Sequence, residues 1–180
     1  MKDLKQFNVP FVGLKLGKHS FQYQIDKTFF EYFDFNEFED TALTVDFLLE
    51  KKPTLLELKF NFKGTVNVLC DVSLEPFNLD LEDSFSIVVK FGEEYNDEND
   101  EILILPHEAY QINIAQYVYE LIILSLPSKK VHPKVIDGTL KSEALEKLKE
   151  LEVREEKSTE NNTVDPRWDK LKDLITEKKT

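Results

Sequence analysis

Apolar side chains recur at every second position in several stretches, and this period most restricts what the 180-residue chain can fold into. Leu43, Val45, Phe47 and Leu49 alternate with Thr44, Asp46 and Leu48, and Leu58, Phe60 and Phe62 alternate with Lys59, Asn61 and Lys63. Val66, Val68 and Cys70 carry the second run past Gly64, and Phe85, Ile87, Val89 and Phe91 form another that ends at Gly92. A period of two places one set of side chains on one face of an extended chain, so these runs predict strands. Gly64 predicts a bulge or sharp bend within one long strand, and Pro53, beside Lys51 and Lys52, marks the preceding turn. Residues 102–105 read as a short apolar strand stopped by Pro106. Residues 21–33 read as one more strand (Phe21, Tyr23, Ile25) and a short helix or turn (Phe29, Phe30, Phe33). Between 93 and 101 the only apolar side chain is Tyr95, which predicts a polar hairpin loop.

The period changes after Pro106. Ile114, Tyr117, Val118, Leu121, Ile122 and Leu124 follow helical spacing, Asn113 with Gln116 resembles a capping box, and Pro127 enforces the end. This central helix, over 113–126, leaves only Gln116, Tyr119, Glu120 and Ser125 for an exposed stripe, so it is expected to pack deeply against the sheet. Residues 140–153 predict an amphipathic helix (Leu140, Ala144, Leu148, Leu151), and 155–163, without an apolar side chain, a linker. A last short helix opens with Asp165 as N-cap and Pro166 at its first position, and presents Trp168, Leu171, Leu174 and Ile175 on one side. With 14 Phe and 6 Tyr there is ample material for a core. The expected architecture is α+β: an antiparallel sheet of five to seven strands, strongly curved or barrel-like, over one central helix. The β-rich domain would span 1–138, and 139–180 would be a helical, partly flexible tail.

The formal net charge of −12 is unevenly placed. Residues 1–140 carry 13 basic and 24 acidic side chains, against 10 and 11 in 141–180. Within the body, 71–101 holds eleven carboxylates against the single Lys90, a net −10. That acidity disfavours bulk attraction to phosphate backbones and suits a cationic partner, with solvated strand faces as the plain alternative. Asp71, Glu75, Asp80, Glu82, Asp83, Glu93 and Glu94 are the candidate partner-binding acids. The candidate RNA-contacting groups are Lys15, Lys18, His19, Lys129, Lys130, His132 and Lys134, with Lys51 and Lys52; ordinary solubility is the plain alternative for these lysines.

Signatures of catalysis are missing. Five glycines form no phosphate loop, there is no nucleophile elbow, and no two histidines share a helical face. Cys70, beside Asp71, reads as a buried structural cysteine, and as the chain's one cysteine it excludes an intramolecular disulfide. His19, His107 and His132 lie far apart, and 95–100 lacks the central Gly and closing Glu of a calcium loop, so no metal or other cofactor is expected. With no secretory signal and no run of 18 apolar residues, a soluble cytoplasmic protein is expected.

Three stretches resemble the YceD-like family of bacterial and plastid proteins. Residues 64–77, through Leu69-Cys70-Asp71-Val72-Ser73-Leu74-Glu75-Pro76-Phe77, are similar to a strand and turn in which a Cys-x-x-Cys commonly precedes a Pro-hydrophobic pair. Residues 119–127, ending Leu124-Ser125-Leu126-Pro127 and continued to Val131-His132-Pro133, resemble the family's acidic-apolar helix. Asp165-Pro166-Arg167-Trp168 resembles its tail helix, and Leu14, Gly17 and His19 its Leu-x-x-Gly-x-His pattern. There are departures: Ser73 stands at the second cysteine, Val72 at a frequent basic residue, and 134–138 where many members carry a cysteine cluster. Any metal-binding role suspected for those members is therefore not carried over.

The resemblance implies a part in large-subunit ribosomal RNA accumulation, and so in large-subunit assembly. On physical grounds a non-catalytic factor that binds a basic ribosomal protein or assembly factor comes first, with direct rRNA contact second. No membrane or small-molecule partner is evident. The Asp165–Trp168 tail is expected either to dock on its own domain or to enter a partner groove. The rivals are a small carboxylate-based hydrolase or nuclease using Asp71, Glu75 and Asp80, for which no base, nucleophile and oxyanion donor can be named together, and a generic adaptor.

Overall fold

The computed structural model describes residues 4–99 and 101–151. A 3-10 turn, Leu4–Phe7, leads into β1 (Asn8–Pro10), β2 (Gly17–Ile25) and the short helix α1 (Lys27–Glu31). Strands β3 (Asp40–Lys51), β4 (Leu55–Leu69), β5 (Pro76–Gly92), β6 (Asn96–Asn99), β7 (Ile102–Pro106) and β8 (Gln111–Asn113) follow, then helices α2 (Ala115–Leu124), α3 (Pro133–Ile136) and α4 (Glu143–Leu151). The chain divides into two compact units, Met1–Leu145 and Glu146–Thr180. The described part of the second is the end of α4, whose start is capped by Ser142 Oγ, 3.3 Å from the Leu145 N–H.

Six strands form one sheet in the order β2-β3-β4-β5-β7-β6, and β1 pairs with β8 in a separate two-stranded ladder. The class is α+β as expected, but the main sheet keeps two free edges, β2 and β6, and does not close into a barrel. Nor is it wholly antiparallel, because β5 and β7 run parallel from Val88↔Ile102 to Gly92↔Pro106. The cause lies in 93–101, expected to be a hairpin loop. After β5 the chain returns as β6 one strand-width farther out, and β7 then rises in the gap, antiparallel to β6 and parallel to β5. All four residues of β6 are exposed, so no hydrophobic alternation announces it.

Cross-strand pairing explains why the alternation settles on one register. Phe21 faces Phe47, Phe47 faces Phe60 and Phe60 faces Phe85, with ring centroids 5.7, 4.8 and 6.3 Å apart. A one-residue slip would turn this aromatic row to solvent. A second cluster gathers around the fully buried Phe30, which meets Phe29, Phe35 and Phe38, while Phe33 stacks on Tyr119 of α2 at 4.2 Å. Helix α2 thus covers the inner face with Ala115, Val118, Leu121 and Ile122 buried, yet Leu124 at its end is 83% exposed. The expected capping box does not form: Ile114 stands at the N-cap with no side-chain cap bond, Asn113 Oδ1 accepts instead from the Ala115 N–H at 3.0 Å, and Gln116 donates to Glu120.

Gly64 makes no bulge. Burial alternates through β4 and the β3–β4 and β4–β5 ladders run through it without a shift. A glycine is required because φ is +149° and a Cβ there would lie 2.2 Å from the Ala42 carbonyl oxygen.

Candidate functional site

A seventeen-residue strand rises about 3.3 Å per residue, so β5 stretches the acidic segment over roughly 50 Å. Glu75 lies in the turn before it, and Glu93 and Glu94 follow its far end. Asp80 and Glu82 point outward, opposite Thr65 and Lys63 of β4, while Asp83 is on the alternate side. The candidate acids are therefore not one patch. Their densest group is the β6 edge, where Glu93, Glu94, Asp97, Glu98 and Glu101 are all exposed.

Asp71 stands apart from the other acids because it belongs to a junction. The turn after β4 closes through the Cys70 N–H to Glu75 O (2.9 Å) and the Leu74 N–H to Cys70 O (2.9 Å), with Leu74 at φ +60°. Asp71 and Lys130 then exchange hydrogen bonds: the Asp71 N–H donates to Lys130 O at 2.8 Å and the Lys130 N–H to Asp71 Oδ2 at 2.6 Å. Lys130 Nζ bridges to Glu37 at 3.0 Å. Cys70, fully buried, holds the junction's centre, its Sγ accepting from the N–H groups of His132 (3.3 Å), Ser73 (3.4 Å) and Val72 (3.5 Å). Burial pushes the thiol up, but these donors outweigh it and bring its pKa below the ordinary thiol value. His132 spends Nδ1 on the Lys134 N–H, capping α3, and its ring lies 5.3 Å from that of Phe77.

The basic candidates fall into two groups separated by the length of β4, roughly 45 Å. At its start lie the exposed Lys15 and Lys18, with His19 Nε2 donating to Lys15 O at 2.8 Å. Lys51 Nζ donates to three carbonyls, of Phe11 (2.8 Å), Val12 (3.1 Å) and Leu14 (2.9 Å), a role that nothing in the sequence announces. Lys52 pairs with Glu57; the hydrogen bond holds the carboxyl below and the ammonium above their ordinary values. At the other end are Lys129, Lys130 and Lys134, of which Lys130 is committed as above. For the hydrolase rival, Asp71 and Glu75 share the turn after β4, where Asp71 accepts from the Lys130 N–H, and Asp80 lies on the outer face of β5. Among the described residues no three His, Cys, Asp or Glu side chains are placed to hold a metal, and no helix is long and apolar enough to cross a membrane.

Opposite the outer face, a groove of about 1010 Å³ opens between α2 and the middle of β5, with residues of β6 and β7 beside it. Phe85, Ile87, Leu103, Leu121 and Leu124 line it, with Tyr95 and Tyr117, and its charged groups are Asp83, Asp97 and Glu120. Tyr95 donates to Asp97 Oδ2 at 3.0 Å. Partial burial, then the Asp97 bond, raises the Tyr95 pKa; burial raises that of Tyr117. No period in the sequence joins Tyr95, Leu103 and Leu124, so this groove goes unannounced there.

The family profile described as "Large ribosomal RNA subunit accumulation protein YceD" matches residues 58–175, about two thirds of the chain. The chain belongs to the YceD family. Neither the comparison with curated proteins nor that with solved structures found a match. The YceD match starts in β4 and takes in β5 to α4, so it covers the junction, the groove and the acidic edge, and leaves β1 to β3 outside. Two of the three stretches that carried the resemblance, 64–77 and 119–133, meet in space through the His132 N–H to Cys70 Sγ bond. The third, with Asp165, Pro166, Arg167 and Trp168, lies outside the described residues. YceD membership, by the family's description, connects the chain to accumulation of the large-subunit ribosomal RNA.

Proposed function

We propose that the protein is a non-catalytic, cytoplasmic factor in large-subunit assembly that acts by binding a basic ribosomal protein. The observation that carries this is the β6 edge: five exposed carboxylates with no lysine or arginine between Phe91 and Glu101, inside the family-matched region. Such an edge steers a cationic partner and resists nonspecific strand pairing. The two groups of lysines, at opposite ends of β4, give a continuous RNA-binding track less support.

The test is a pull-down from lysate at low and high salt, comparing the native chain with a variant carrying Glu93→Gln, Glu94→Gln and Glu98→Gln. Large-subunit ribosomal proteins should be captured at low salt, released at high salt and depleted with the variant. Their absence at both salt concentrations, or capture of rRNA that persists after removal of ribosomal proteins, would overturn the proposal.

A further inference from the structure

The groove beside α2 combines two demands that few ligands meet together. Its floor, from Phe85, Ile87, Leu103 and Leu121, asks for apolar side chains, and Leu124, 83% exposed at the helix end, extends that surface outward. An apolar side chain left in water on a helix that otherwise buries its apolar face is the kind of feature that marks an interaction surface. Around this floor the charged groups are all carboxylates: Asp83 at one end, Asp97 on β6 and Glu120 on α2, with no lysine or arginine among the lining residues. Nucleic acid and acidic peptides would meet repulsion here, and a purely cationic segment would leave the floor wet.

We propose that this groove is the docking site for an amphipathic, lysine- or arginine-bearing segment of a protein partner. Its apolar side chains would replace water over Phe85, Leu121 and Leu124 while its cations reach Asp83, Asp97 and Glu120. This rests on the reading of the protein as a binder of basic ribosomal proteins, and specifies the surface that grips the partner after the acidic edge has attracted it.

Three labelled peptides of equal length provide the test by fluorescence anisotropy with the full chain: one of leucine and lysine in helical amphipathic order, one with glutamate for lysine, and one with serine for leucine. The leucine–lysine peptide should bind at least tenfold more tightly than either control. Leu124→Asp, at a site that folding leaves in water, and Glu120→Lys should each weaken it at least tenfold without moving the denaturation midpoint, whereas Glu31→Gln/Glu39→Gln, at exposed positions outside the groove lining, should leave it within twofold. Equal binding by the native chain and both groove variants would overturn the proposal. So would a concentration-dependent dimer that Leu124→Asp converts to monomer, which would assign the groove to a second copy. The same variants in the pull-down separate the two readings. Ribosomal proteins still captured by Leu124→Asp would sink the groove and spare the function; peptide binding with no ribosomal protein captured by the native chain would sink the function.

Discussion

Replacing Gly64 with alanine tests the close approach of β3 and β4 directly. The added Cβ would sit 2.2 Å from the Ala42 carbonyl oxygen and 2.8 Å from Leu43 Cα, both backbone atoms that cannot rotate away. Relief requires the strands to part by most of an ångström at the Leu43↔Gly64 pair, weakening ladder bonds worth about 1 kcal/mol each. Holding alanine at φ +149° adds about 1–3 kcal/mol. The expected loss is about 3–5 kcal/mol, a large part of the roughly 5–15 kcal/mol of an ordinary domain. Gly17→Ala isolates the backbone contribution, since φ is +120° there but nothing lies within 4 Å of the new Cβ. With a urea slope of about 2 kcal/mol per molar, Gly64→Ala should lower the midpoint by about 1.5–2.5 M and Gly17→Ala by about 0.5–1.5 M. Cys70, the one cysteine and fully buried, supplies a second readout: its labelling by a thiol reagent should accelerate in the same order. Equal shifts for the two variants would refute the steric argument and leave φ as the whole effect.

Cys70→Ala removes the acceptor shared by Val72, Ser73 and His132, and should cost about 2 kcal/mol while hydrogen exchange quickens at those three amides; unchanged exchange would mean that the sulfur contacts are incidental. Lys51→Met strands the carbonyls of Phe11, Val12 and Leu14 without their shared cation, an expected loss of about 2 kcal/mol in urea denaturation, with faster proteolysis in 11–16. Lys51→Arg should rescue little, because a planar guanidinium cannot reproduce three converging bonds from one nitrogen. The raised Tyr95 pKa means that folding favours the neutral phenol: its contribution is complete below the ordinary tyrosine value near about 10 and is lost as pH rises above it. Stability should therefore fall less steeply on the alkaline side in Tyr95→Phe than in the native chain, and parallel curves by thermal denaturation would contradict this.

The parts of the fold that could be read from the sequence are those whose cause is local. Alternation at 43–49, 58–70 and 85–91 marks β3, β4 and β5 because one face of each is buried, and the helical spacing of 114–124 marks α2 for the same reason. Strand β6 could not be found that way, as its residues are all exposed and owe their extended form to pairing with β7. The parallel β5–β7 pair was hidden with it. At Gly64 the sequence suggests a bulge or bend that the unshifted ladders do not contain; what requires the glycine is the approach of Ala42 and Leu43 across the ladder.

Charge shows most clearly what separates a run in sequence from a surface. The acids at 71–101 are adjacent in the chain, yet a strand sends neighbouring side chains to opposite faces and carries its ends far apart. One of them, Asp71, is bound to Lys130, a residue grouped by sequence with the opposing basic set. Two that remain together in space, Asp83 and Asp97, do so only because β6 and β7 fold back beside β5 and α2 brings Glu120 to meet them. A cationic partner would then experience two distinct features: an edge that attracts at a distance and falls off with salt, and a partly dry groove in which an ion pair is less screened. Raising ionic strength should therefore slow capture more than it hastens release, so that the on-rate carries most of the salt dependence. A partner whose off-rate rises with salt as steeply as its on-rate falls would instead be held by the exposed edge alone.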